Sequence, residues 1–276
     1  MLDAVLLFRQ ALYGSLLIAL SCSVIGVYVV LRRIVFVGAA LAELSSAGIA
    51  LGFFLSGLGL AAGLGAHPLI MSLVVTLCGV LFFSLGSGGG RGRIPPDATI
   101  GVTYVVAAAI GILLISKAAS GEAHDMLIQG NILGIMISDT LVLLAVTIPI
   151  LLLHAIFYKE FLFVSFDREM ARTLGYRVGA WNLFLYLTLG IIIAFSMQFA
   201  GVMLVFNFLV LPAVTGLLLA RSMAGTFFWS VLSALTAALV GFSVSVPFDL
   251  PTSPTMIAVS GALALLALGV RKVRGR

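Results

Sequence analysis

Long apolar runs, broken by a few charges, constrain this chain more than any motif does. Nine of them can cross a bilayer: residues 11–31, 37–56, 67–86, 98–117, 140–158, 180–198, 201–220, 226–246 and 255–270. A helix rises about 1.5 Å per residue, so roughly 20 apolar residues cross about 30 Å of hydrocarbon. Inside lipid the backbone must satisfy its own hydrogen bonds, and an open sheet cannot. The fold class that follows is an all-α integral membrane protein. Only 9% of the 276 residues are charged, against about 25% in soluble domains. The expectation is a single transmembrane domain over residues 1–276, with no room for a soluble domain. The start of the chain shows no cleaved-signal pattern, since Asp3 and Arg9 lead into the first run without a small-residue cleavage site.

The gaps between runs alternate in charge. Arg32 and Arg33 follow the first run, Arg91 and Arg93 lie in the third gap, and Lys159, Arg168, Arg172 and Arg177 fill the fifth. Arg221 stands in the seventh, and Arg271, Lys272, Arg274 and Arg276 make the tail. Only Arg9 and Lys117 break the alternation. By the positive-inside rule the basic gaps face the cytoplasm, which predicts N-terminus out and C-terminus in. The positive balance thus belongs to membrane topology and points to no nucleic-acid partner.

Three gaps carry more than a turn. Gly86–Pro96 (GSGGGRGRIPP) is rich in glycine, but no lysine follows a glycine as a phosphate loop requires, so it reads as a linker. The chain offers no site for ATP. In the fourth gap, His124–Ile137 is apolar yet too short to span, which predicts a re-entrant or interfacial segment. Gly130 and Gly134 within it have the spacing that lets a helix pack closely on a neighbour. The fifth gap, Lys159–Val178, holds the largest group of charges between two runs. Read as a helix, Asp167–Leu174 is charged on one face and apolar on the other, and lies along the membrane surface towards a soluble partner or the headgroups.

Polar residues at membrane depth are expensive and mark function or a specific internal bond. Glu43 is the one carboxylate well inside a run, on a helical face with Ala39, Ser46 and Ala50. It is either a residue of a cation path or a hydrogen-bonded structural acid. Asn207, followed by Pro212 and Thr215, either lines the path or bonds across helices. Asp97 opens the fourth run, where a carboxylate suits the helix dipole. His67 and His154 read as structural rather than ligating. His124, Asp125 and Glu122 form either an outer reception site for a cation or a solvated loop. Cys22 and Cys78 lie in apolar runs without metal-type spacing and read as small buried residues.

Five stretches, in order, carry a resemblance: GVYVVLRR (26–33) leading to GIALGF (48–53); DATIGVTY (97–104); HDMLIQGNILGI (124–135); VSFDREMARTLGYRV (164–178); and GVMLVFNFLVLPAVTGLLLARS (201–222). Nearly end to end, the chain resembles the membrane permease of the zinc/manganese-type ABC uptake transporters. The resemblance implies an importer of two permease copies, two cytoplasmic ATPases that bind the ATP, and an extracytoplasmic metal-binding protein, in the inner or plasma membrane of a bacterium or archaeon. It also implies that residues 166–175 are a coupling helix seated in the ATPase, with Phe166, Asp167, Arg168, Glu169, Arg172, Leu174 and Gly175 at the contact. The family usually carries Asp and, four residues on, His at the positions of Ala39 and Glu43, so this chain substitutes a lone carboxylate for a mixed pair. Oxygen ligands suit hard cations, whereas zinc favours nitrogen and sulfur.

The function these readings predict is a permease that moves a divalent cation by ATP-driven alternating access, with the metal as substrate and no cofactor of its own. Glu43 is the leading path residue, with Ser46, Asn207, His124 and Asp125 as further metal-contacting candidates. The competing readings are an ABC permease for another solute, such as a metal complex, and an ion-coupled secondary transporter. An intramembrane enzyme is disfavoured, because the runs contain neither His-Glu-x-x-His nor paired carboxylates.

Overall fold

The computed structural model describes residues 8–57, 67–86, 95–117 and 130–273. The elements are α1 (Arg9–Leu31), α2 (Val35–Gly57), α3 (Pro68–Gly86), α4 (Pro96–Lys117), a 3-10 turn at Ile132–Gly134, α5 (Ile137–Ile156), α6 (Tyr158–Phe166), α7 (Arg168–Thr173), α8 (Val178–Leu219), α9 (Met223–Ser245) and α10 (Thr252–Val273). No strand occurs among the described residues. Among these described residues seven helices are long and apolar enough to cross a membrane, and Pro68–Ser84 is a shorter apolar helix. The all-helical, multi-pass membrane character expected from the apolar runs is what the chain shows.

The helices pack around α8, which touches α1, α2, α3, α9 and α10. Its 42 residues would span about 63 Å if straight, twice the hydrocarbon thickness. They do not run straight. Gly201 has φ 72° and ψ 168° in the midst of α8, a conformation open almost only to glycine. Contacts at the two ends show what this does. Asn182, early in α8, bonds Arg32 at the end of α1. Phe227, just past the end of α8, lies 5.1 Å from the ring of Tyr28, one turn before Arg32. Both ends of α8 therefore lie at the same end of the bundle, and the chain reverses at Gly201. The break expected between residues 198 and 201 is this single-residue reversal and has no loop.

The end that carries Arg32, α6 and α7 is here termed the basic end. Around the core, Ile25, Leu41, Leu189, Ile193, Leu204 and Phe208 are buried. α4 packs chiefly on α2, and its other face exposes Val102, Val105 and Leu113. In water such a face would be a liability, but lipid is its natural solvent. α2 and α3 approach closely: a Cβ at Gly48 would come 2.6 Å from the Cα of Ser72. Ser45 and Ser72 share a 2.8 Å hydrogen bond across that seam.

Several local expectations are corrected. Gly130 and Gly134 do not form a helix-packing pair. Gly130 precedes the 3-10 turn at φ +73°, against the backbone of Phe199 and Ala200 beside the α8 reversal, and Gly134 lies over the side chain of Asn131. The part of the fourth gap that is described, residues 130–136, thus folds onto the bundle through one short turn whose Ile132 is buried. Cys22 is buried as expected, but Cys78 is exposed, because its face of α3 points away from the core.

Candidate functional site

At the basic end α6 and α7 form a small knob, and most side chains of α7 are exposed. α6 is held by rings. Phe161 is fully buried, stacks on His154 at 4.6 Å and on Phe184 at 5.6 Å, and meets Trp181 edge-on at 5.3 Å. His154 is also tied through Nδ1 to the Ile150 carbonyl at 2.9 Å. Its role here is packing. His67 is likewise structural, with Nδ1 accepting from the Leu69 N–H at 3.4 Å at the start of α3.

α7 follows, six residues long and closed at both ends. Asp167 accepts the Met170 N–H at 2.8 Å as its N-cap. At the other end Tyr176 N–H reaches the Ala171 carbonyl and Gly175 N–H the Arg172 carbonyl, at 3.0 and 3.1 Å. Gly175 has φ 83°, so this is a Schellman closure in which glycine takes the left-handed position. An isolated helix this short is unstable; the caps and the burial of Ala171 between Val164 and Val178 hold it in shape. The two-faced pattern expected for residues 167–174 is only partly realised. Ala171 is the inward side chain, while Phe166, Met170 and Leu174 are exposed beside Arg168, Glu169 and Arg172. Met170 did not stand out in the sequence, because an apolar residue among charges reads as the buried side of a helix.

Beneath the knob lies Arg32, only 8% exposed. Its Nε donates to Ser165 Oγ at 2.8 Å and its Nη1 to Asn182 Oδ1 at 2.7 Å, while Nη2 is buried without a partner. Burial pushes the guanidinium down to about 10, and the charge of Arg168 pushes the same way. It remains charged at neutral pH.

Deeper in the bundle, Glu43 is half-buried on α2. Ala39, Ser46 and Ala50 on its face are buried, as the helical spacing implies. One turn on, α2 meets α4: a Cβ built on Gly111 would come 3.6 Å from the Cα of Ala47. Asn207 is 5% exposed on the second limb of α8, and neither its amide nitrogen nor its amide oxygen has a partner. Thr215 Oγ1 bonds the Leu211 carbonyl at 2.9 Å. Asp97 sits in the first turn of α4, where its charge favours the helix start. His124 and Asp125 lie outside the described residues. Among the described residues no three His, Cys, Asp or Glu side chains come together.

A short capped helix with exposed side chains thus stands at one end of the bundle, and sparse polar groups lie at depth. Residues 5–271 match the ABC 3 transport family. The chain belongs to the ABC 3 transport family. This ABC 3 protein is 28% identical over 259 residues to the manganese transport system membrane protein MntC of Listeria innocua, covering 94% of this chain and 89% of that one. It is 27% identical over 259 residues to the manganese import system permease protein ScaB of Streptococcus gordonii, with the same two coverages. Among solved structures it is similar to PsaBC from Streptococcus pneumoniae in complex with Fab, with TM-score 0.84 and 26% identity over 96% of this chain and 93% of that one.

Proposed function

We propose that this ABC 3 protein is the membrane permease subunit of an ATP-driven importer of a divalent metal cation, with manganese the first cation to test. The names of its relatives, a manganese transport membrane protein and a manganese import permease, support the cargo. The observation that carries the mechanism is α7, a doubly capped, exposed helix at the basic end of a chain without a phosphate loop. Such a part is suited to receive force from a separate ATPase.

In this reading the basic end faces the cytoplasm of a bacterial or archaeal cell, at its inner or plasma membrane, and the chain crosses nine times with its N-terminus outside. The reversal at Gly201 supports counting α8 as two crossings. Two copies work with two ATPases, which hold the ATP. An extracytoplasmic metal-binding protein delivers the cation on the opposite side. ATP binding draws the two docking helices together, and the bundle switches its opening from outside to inside. Glu43 meets the cation on its way. Ser46, Asn207, His124 and Asp125 are further contacts in this proposal, of which Asn207 has the strongest physical support, because its amide is buried and open on both sides.

A single carboxylate among small residues suits a cation that is passed on. Tight storage would need a closed set of ligands. The test is reconstitution of the permease with its ATPase and binding protein in liposomes. Manganese bound to the delivery protein is expected to stimulate ATP hydrolysis and to accumulate inside. Stimulation without accumulation of any divalent cation would overturn the metal reading.

A further inference from the structure

We propose that Arg32 is a positioning residue that ties the docking segment to the Glu43-bearing helix, so that displacement of α7 is delivered to α2. The inference rests on the reading of α7 as the ATPase-docking helix.

The argument begins with the turn itself. α1 ends in a closure in which Ile34 N–H bonds the Val29 carbonyl and Arg33 N–H the Val30 carbonyl. Arg33 occupies the left-handed position at φ 57°, unusual for a residue other than glycine. The turn is short and internally bonded, so α1 and α2 meet at a fixed corner, with Arg32 at its apex. From that corner α2 runs unbroken from Val35 through Glu43, without a proline. A push at the apex moves the helix as one body.

The Arg32 side chain points inward and bonds the side chains of two other segments. Ser165, which accepts from Nε, lies in the last turn of α6, two residues before the Asp167 cap of α7. Asn182, which accepts from Nη1, lies near the start of α8, just after the Schellman closure of α7. One planar guanidinium thus grips the chain on both sides of the docking helix. A lysine could not, since its ammonium has no rigid fork. Apolar contacts also link these elements, including Tyr28 with Phe161 at 5.6 Å, but such packing is non-directional and can slide. Two directional hydrogen bonds hold a register.

The third donor sharpens the point. Nη2 is buried and unpartnered, whereas buried donors in a resting structure are nearly always paired. Neither partner of the guanidinium is charged. A guanidinium paired with a carboxylate would be held in one bidentate arrangement. One with a spare donor and two neutral acceptors can exchange partners as the elements shift, which is what a link between two arrangements needs.

The experiment uses the full complex in liposomes with manganese as the probe, and reads ATPase binding, thermal stability and manganese ions moved per ATP hydrolysed. Arg32→Gln is expected to bind the ATPase within about twofold of wild type and to lower the ions moved per ATP about tenfold, a typical size for coupling between sites. Ser165→Ala and Asn182→Ala, each removing one grip, are expected to lower the same ratio by smaller factors. They decide the matter should Arg32→Gln fail to assemble. A purely structural arginine would lower melting temperature and yield while leaving the ratio of the assembled complex unchanged, and that result overturns the proposal. A parallel Glu169→Arg/Arg172→Glu chain separates the two readings. If it still binds the ATPase as wild type does, the docking reading falls and this inference with it. If it releases the ATPase while Arg32→Gln keeps the wild-type ratio, only the inference falls.

Discussion

The short helix α7 and the interior around Glu43 and Asn207 manage their polar groups in opposite ways. Residues 167–176 are mostly exposed, where water could satisfy every group, yet the short helix closes its ends with its own side chain and backbone. Asn207 is buried at membrane depth, where water is scarce, yet its amide is open on both sides. An isolated buried amide is unfavourable by about 1–3 kcal/mol. Stability alone would arrange these two regions the other way round. The contrast has a mechanical sense. In the proposed function a lever that receives force must keep its shape, as the capped α7 does. A path must hold its cargo briefly, which open polar groups allow.

The sharpest break of this comparison is at Glu43. Glu43→Gln keeps size and hydrogen-bonding ability but removes the charge. An interaction with a charged group contributes about 1.5–3 kcal/mol, so cation transport is expected to fall on the order of ten- to a hundredfold. Assembly and basal ATPase activity should stay as in wild type. Uptake of manganese into liposomes at several metal concentrations checks this. Wild-type uptake and metal affinity in Glu43→Gln would move the path away from α2.

How far these regions could be read from the chain alone follows from what each depends on. Span positions depend on apolar length, and the runs at 11–31, 37–56 and 226–246 lie within a few residues of α1, α2 and α9. The turn at Gly201 depends on one residue's dihedral angles, which hydropathy registers only as a boundary. Glu43 was visible because a carboxylate in an apolar run is rare. Arg32 was visible only as a topological charge. Its inward course depends on Ser165 and Asn182, more than a hundred residues away, and no local pattern announces that meeting. Cys78 differs from its expected burial because in a membrane chain apolar surroundings do not mean burial, since lipid takes the place of core.

The braced side of the comparison is tested by Asp167→Ala. The carboxylate caps α7 through the Met170 N–H at 2.8 Å, and losing such a cap is unfavourable by about 1 kcal/mol. The exposed helix should fray first at its start, so exchange of the Met170 amide hydrogen is expected to quicken by about fivefold at that magnitude. Transport should weaken less than in Glu43→Gln, because α7 is loosened but still present. Unchanged exchange at Met170 would mean that α7 is held by Ala171 and its neighbours alone, and that the caps contribute nothing to the lever.

The smallest expected effect tests the open side. Asn207→Leu removes an amide that bonds nothing and replaces it with an apolar side chain of similar length. If the buried amide is unsatisfied, its removal relieves a desolvation cost, and volume-conserving changes in a packed interior are otherwise mild. The variant is therefore expected to melt at or slightly above the wild-type temperature, corresponding to a gain of up to about 1 kcal/mol. Its transport should nevertheless fall severalfold, because the path loses an acceptor. Thermal unfolding in detergent and uptake in liposomes, measured on the same preparation, separate the two effects. Asn207→Leu with a lower melting temperature would show that the amide holds a partner in the working protein, through a second copy or a bound water. Asn207 would then be a brace like Asp167, and the division between a satisfied lever and an unsatisfied path would rest on Glu43 alone.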